Sequence, residues 1–179
     1  MPNFLPILRD ILLLRRGPQD LPYSTQLLTA VAVASAIVQS LAGAILLSAG
    51  GLLIVASAVF SVLLTMLALN VMLGIRRVRN RFVQTATAML GCNLLFSLIS
   101  IPAALILPTK PMTTPEQVPF IALLLMPLAV ACAIWQIAVN AHILRHSLDL
   151  PFWGGVAMVL LWVFVAYVLA GLSGAQAIV

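Results

Sequence analysis

His142 and His146 stand four residues apart, and Asp149 follows three residues later. On a helix, that spacing puts two imidazoles on one face, within reach of a single metal ion. Ile143, however, fills the position where a zinc protease carries its glutamate, and no second histidine or acid cluster lies nearby in the chain. His142, His146 and Asp149 are therefore the only candidates for a metal site, and the bland reading is a polar helix end with no metal. The acids Asp10, Asp20, Glu116 and Asp149 are too scattered to work as a pair. No nucleophile with an adjacent base and no glycine-rich phosphate loop can be assembled. Cys92 and Cys132 both fall in apolar stretches, where cysteine behaves as a small hydrophobe. The chain is expected to have no catalytic residue and no cofactor, and to be non-enzymatic.

The other chemistry-bearing side chains are neutral amides. Gln39, Asn70, Gln84, Asn93, Gln136 and Asn140 lie within or at the edges of long apolar segments, and an amide in hydrocarbon needs a hydrogen-bond partner. Two readings stay open. The amides are interhelical glue, contributing about 0.6 to 2 kcal/mol per contact, or several of them converge into a polar pocket or path. Gln84, Asn93, Gln136 and Asn140 are the pocket candidates, with Gln136 and Asn140 foremost because they share a helix face with Ile143.

The segments that must position these groups are membrane spans. The chain of 179 residues is 63% hydrophobic and 7% charged, whereas soluble domains run near ~25% charged. From Leu21 to Ile75 no residue is charged, and a helix crosses the hydrocarbon core in about 20 residues. Two spans fit there, broken by the pair Gly50-Gly51. The expected spans are 25–48, 52–74, 82–107, 120–144 and 152–171, with Pro102 and Pro127 bending the third and fourth. The proline-rich stretch Pro108 to Pro119, with Lys110 and Glu116, forms a polar connection. The fold class is all-α: a polytopic membrane helical bundle of five transmembrane helices. Residues 1–20 form a cytoplasmic N-terminal segment and residues 21–179 a single membrane domain.

Charge placement sets the orientation. Arg9, Arg15 and Arg16, then Arg76, Arg77, Arg79 and Arg81, then Arg145, all fall on one side of these spans, and only Lys110 falls on the other. This positive-inside pattern puts the N-terminus in the cytoplasm and the C-terminus on the far side. The net charge of +5 is better matched to anionic lipid headgroups at the cytoplasmic face than to nucleic acid, since no basic stripe interleaves with exposed aromatics. The apolar residues of the first sixteen are interrupted by Arg9 and Asp10 and lack the length of a signal-peptide core. They predict an interfacial helix ended by Gly17-Pro18, retained on the mature chain. Trp153 and Tyr167 fall at the belt positions of the last span, and Trp162 falls mid-span.

Small residues recur every four positions in the first span, at Ala32, Ala36, Ser40, Ala44 and Ser48, and in the second at Ser57, Ser61 and Thr65. Such ladders let helices approach closely, so Ala36, Ser40 and Ala44 are expected to pack on Ser57, Ser61 and Thr65 as the tightest helix pair. A shorter ladder, Ala166, Ala170 and Gly174, lies near the C-terminus. No span carries Asp, Glu, Lys or Arg, which disfavours an ion-driven transporter.

The run RFVQTATAMLGCNLLFSLISIPAAL after a basic loop, followed by IWQIAVNAHILRHSLDLPFWGGVAMVLL, resembles the Yip family of small membrane proteins, particularly its bacterial members. The similarity covers roughly Leu52 to Leu172. It implies five spans and a cytoplasmic N-terminus. The short stretch before the first span departs from the long cytosolic region of eukaryotic members, so the resemblance points to a bacterial inner membrane rather than to vesicle traffic. The segment RRGPQDLPYS resembles a motif of small proteobacterial membrane proteins and implies no activity. The leading expectation is an interaction, organising or accessory subunit that binds another membrane protein or itself. The alternative is a passive channel or small-solute or lipid carrier using the amides of the third and fourth helices.

Overall fold

Eight consecutive residues of one helix, Thr85 to Cys92, are buried on every face, and their composition explains how. Thr, Ala, Thr, Ala, Gly and Cys leave room for neighbours to approach from all directions. In the computed structural model this helix is the axle of an all-helical bundle. The structure describes residues 4–46, 51–106 and 120–172, and among these there is no strand. The helices are α1 (Phe4–Leu12), α2 (Thr25–Leu46), α3 (Gly51–Ile75), α4 (Phe82–Ile106), α5 (Phe120–Leu148) and α6 (Phe152–Leu172), with short 3-10 turns at Pro18–Asp20 and Arg79–Arg81. Ser48, Gly50, the Pro108 to Pro119 connection with Lys110 and Glu116, and Gly174 lie outside the described residues.

Four helices are long and apolar enough to cross a membrane: Thr25–Ile45, Gly51–Ile75, Arg79–Pro102 and Leu125–Leu148. The stretch of α6 from Phe152 to Val165 is apolar but shorter. Half of the α4 window is buried, against 17% of α2 and 22% of α3, so α4 is central and the others are peripheral. The outward faces are hydrophobic: Val33, Ile37 and Leu41 on α2, Leu63, Leu67 and Val71 on α3, and Leu160, Leu161 and Phe164 on α6 are all exposed. Soluble monomers rarely expose so continuous an apolar surface, and a bundle surrounded by lipid does so throughout.

The most extensive helix contacts are α2 on α4 and α5 on α6, ahead of the α2–α3 pair that the small-residue ladders predict to be closest. A cavity explains the difference. Ser57 and Ser61 line an open space beside α2 and α4 instead of a dry seam. Ser40 donates to the Ala36 carbonyl of its own helix at 2.7 Å, and Ala44 is exposed. At α5–α6 the approach is much closer: a Cβ on Gly155 would lie 2.5 Å from the Ala141 carbonyl oxygen.

Helix ends are fixed by hydrogen bonds that the sequence marks only partly. Ser24 caps α2, its Oγ accepting from the Leu27 N–H at 3.2 Å. Helices α1, α3 and α5 each end on a non-glycine residue in the left-handed region: Leu14 (φ 59), Arg77 (φ 59) and Asp149 (φ 52). Each closes the six-to-one bond of a Schellman motif: Arg15 N–H to Asp10 O, Val78 N–H to Leu73 O and Leu150 N–H to Arg145 O. The first helix thus stops before Gly17-Pro18. A leucine there costs about 1 to 2 kcal/mol, and Asp10 helps to hold the turn by pairing with Arg9 at 3.1 Å and Arg16 at 3.3 Å.

Two arginines of the second cluster make contacts within the bundle. Arg76 Nη2 donates to the Leu148 carbonyl at 3.2 Å, and Arg81 Nη1 donates to the carbonyls of His146 and Ser147 at 3.2 and 3.3 Å and to Asp149 Oδ2 at 2.9 Å. These are the orphan acceptors at the negative end of α5. Arg81→Ala is expected to cost about 1 to 2 kcal/mol, read as a lower thermal unfolding temperature. Asp149→Asn, which breaks only the half-exposed ion pair, is expected to cost less than about 1 kcal/mol. Equal losses in the two variants would mean that the carbonyl contacts contribute nothing.

Candidate functional site

Three cavities meet between α2, α3, α4 and α5, in the half of the bundle away from the arginines. The first, about 360 Å³, lies among Gln39, Gly43, Ser57, Ser61, Ser97 and Ser100. The second, about 260 Å³ and deeper, is lined by Ser35, Gln39, Ser61, Thr65, Asn93, Ser97 and Gln136. The third, about 220 Å³, opens between α4 and α5, where Phe96, Ile99, Leu125 and Leu128 form much of the wall beside Ser97 and Gln136, with Cys132 at its border. Ser97 borders all three. The three share wall residues, and no Asp, Glu, Lys, Arg or His among the described residues lines them.

Helical periodicity builds it. Ser35 and Gln39 are one turn apart on α2, Ser57, Ser61 and Thr65 repeat every four residues on α3, and Asn93, Ser97 and Ser100 step by four and three on α4. Ser35 is buried, Gln39, Thr65, Asn93 and Ser97 are half-buried, and Ser57, Ser61 and Ser100 lie at the exposed rim. Gln136 of α5 closes the ring, its Nε2 donating to Asn93 Oδ1 at 3.2 Å.

The four amides proposed from sequence as a pocket separate into three environments. Asn93 and Gln136 are brought together at the cavity wall. Gln84 is at the arginine end of α4, where Nε2 donates to the carbonyls of Gln19 at 3.2 Å and Leu21 at 2.6 Å. Asn140 is buried, and its Oδ1 has no hydrogen-bond partner. Sequence reasoning missed Gln39 as a wall residue, although its spacing from Ser35 was available. It also assigned Ser57, Ser61 and Thr65 to packing, where they line space. Asn70 is exposed on α3, away from the cavities.

The histidines are engaged otherwise. His142 Nε2 donates to the Arg16 carbonyl at 3.0 Å, Arg145 Nη2 donates to His146 Nε2 at 3.3 Å, and the two imidazole rings stack edge-on at 4.5 Å. Asp149 is paired with Arg81. Among the described residues no three His, Cys, Asp or Glu side chains group as metal ligands.

The N-terminal segment is fastened beneath this site. Leu8 and Ile11 belong to the same core as α4 and α5, and Leu8 sits against Gly91, where an added Cβ would meet its methyls at 3.2 Å. Trp135 Nε1 donates to the Leu12 carbonyl at 3.1 Å. With Gln84 and His142, three side chains of α4 and α5 hold the backbone of residues 12–21. Exposed Trp153 lies in the first turn of α6 at the arginine end, and Trp162 borders a small void with Thr65, Leu69 and Leu144.

The chain matches no protein-family model, no curated protein and no solved structure. The Yip-like resemblance therefore rests on its quoted residues alone.

Proposed function

We propose that the protein is a non-enzymatic, five-span integral membrane protein that binds a small uncharged solute in its polar cavity and passes it without an energy input. The convergence of Gln39, Ser61, Asn93, Ser97 and Gln136 around two cavities with a shared wall carries this reading. A cavity with polar side chains in its wall, inside an apolar bundle, costs packing contacts that a dry seam would keep, and no charged side chain among the described residues lines it.

In this account α6 is the fifth span and α1 a helix set into the cytoplasmic leaflet. The arginine end faces the cytoplasm of a bacterial inner membrane, in contact with anionic headgroups, and the cavity faces the periplasm, as does the C-terminus. Reporter fusions are expected to place the Arg77 loop inside and Lys110 and the C-terminus outside; an inside C-terminus would remove a span. The Yip-like pattern is compatible with this topology.

The test of function is solute flux into proteoliposomes measured by light scattering after an osmotic step. Flux of small neutral solutes well above that of empty liposomes is expected. Rates equal to empty liposomes would remove the carrier reading. The organising or accessory reading then stands next, supported by the exposed hydroxyls of Ser57 and Ser61 on α3, which a partner helix or a second copy could cover. For it, replacing Ser61 by leucine should reduce the size of the native complex.

A further inference from the structure

The hydroxyls around the cavity have already committed their protons. Ser57 Oγ donates to the Ile54 carbonyl at 2.8 Å, Thr65 Oγ1 to the Ser61 carbonyl at 2.9 Å, Ser100 Oγ to the Ser97 carbonyl at 3.0 Å, and Ser35 Oγ to the Leu90 carbonyl at 3.4 Å. A carbonyl has no proton to give, so the hydroxyl is the donor in each case. A hydroxyl carries one proton and two lone pairs. What these four side chains turn toward the space is therefore acceptor capacity. Gln136 gives one N–H to Asn93, which leaves it one further N–H and its carbonyl oxygen. The amide nitrogens of Asn93 and Gln39 supply donors, and Ser61 and Ser97 can turn either way, but acceptors prevail.

Asn140, one helical turn from Gln136 on α5, is 8% exposed with its Oδ1 buried and without a partner, but it lines none of the three cavities.

We propose that the cavity is a site for a small, uncharged solute rich in hydrogen-bond donors, of the polyol or urea class. Anions are disfavoured by the acceptor-rich wall. This inference rests on the carrier reading and narrows it to a chemical class.

Cys132 borders the same space and reports on it. In the full chain carrying Cys92→Ala, reconstituted in nanodiscs, the rate of Cys132 modification by a water-soluble methanethiosulfonate is measured with added urea, glycerol or tetramethylurea. Urea and glycerol are expected to slow the reaction at least fivefold in a saturable way. Tetramethylurea, which has no donor, is expected to slow it less than twofold. Equal protection by tetramethylurea, or no protection by urea and glycerol on a reactive Cys132, overturns the donor-rich assignment and leaves the cavity reading standing. A Cys132 that does not react in the absence of solute overturns the cavity reading itself. The comparison of the three solutes needs no variant of a wall residue, so a misfolded variant would not rescue the proposal.

Discussion

Gly155→Val is expected to unseat α6 from the bundle. At Gly155 an added Cβ would lie 2.5 Å from the Ala141 carbonyl oxygen and 3.2 Å from Arg145 Cβ. The nearest atom is helix backbone, so no rotamer change makes room, and the two helices must separate. Their contact is among the most extensive in the fold, and it includes buried Val159. The loss should reach about 3 kcal/mol, the upper end of overpacking costs, seen as a large fall in thermal unfolding temperature in detergent. Gly154→Ala is the matched control, because its Cβ would meet Leu150 and Pro151 at ordinary contact distances of 3.4 and 3.5 Å. A Gly155→Val protein as stable as Gly154→Ala would show that α6 does not pack on α5 as described.

Gln136→Leu is expected to reduce neutral-solute flux at least tenfold, close to that of empty liposomes. The substitution removes the donor to Asn93 Oδ1 and places branched methyls where two of the three cavities adjoin. A solute passing there would have to give up water hydrogen bonds without replacement, at about 1 to 3 kcal/mol for each unsatisfied group. Folding should survive, because Gln136 and Asn93 are only partly buried. Gln84→Leu is the discriminating control. It breaks the hold on the Gln19 and Leu21 carbonyls but touches no cavity wall, and flux should stay within twofold of wild type. Unchanged flux in Gln136→Leu, or an equal loss in Gln84→Leu, would separate transport from the cavity.

Much of the architecture is written in local pattern. Uncharged length, the arginine positions and the glycine pair mark helices whose bounds the structure matches within a few residues wherever they are described, because span length is set by bilayer thickness and needs no tertiary information. The site is legible only as stripes. Asn93 and Gln136 were available as polar residues in apolar helices, but their meeting depends on the register between α4 and α5, which no single helix encodes. The same limit hides Asn140's missing partner. Gly155 gives no local sign of its importance, since its neighbour Gly154 looks alike and only the approach of Ala141 tells them apart. Arg76 and Arg81 read as loop charges because the carbonyls they cap belong to α5, more than sixty residues away in sequence. For α1, the pair Arg9-Asp10 argued for the interface, whereas Asp10's contacts to Arg9 and Arg16 and the groove at Gly91 let Leu8 and Ile11 enter the core.

Sidedness of access to Ser97, the residue common to all three cavities, tests the central claim most directly. Ser97→Cys would be made in a chain carrying Cys92→Ala and Cys132→Ala and reconstituted in sealed vesicles of known orientation. A membrane-impermeant thiol reagent would then be applied from each side in turn. The account predicts rapid labelling from the face opposite the arginines and at least tenfold slower labelling from the arginine face. Labelling only from the arginine face, or from neither, would contradict it.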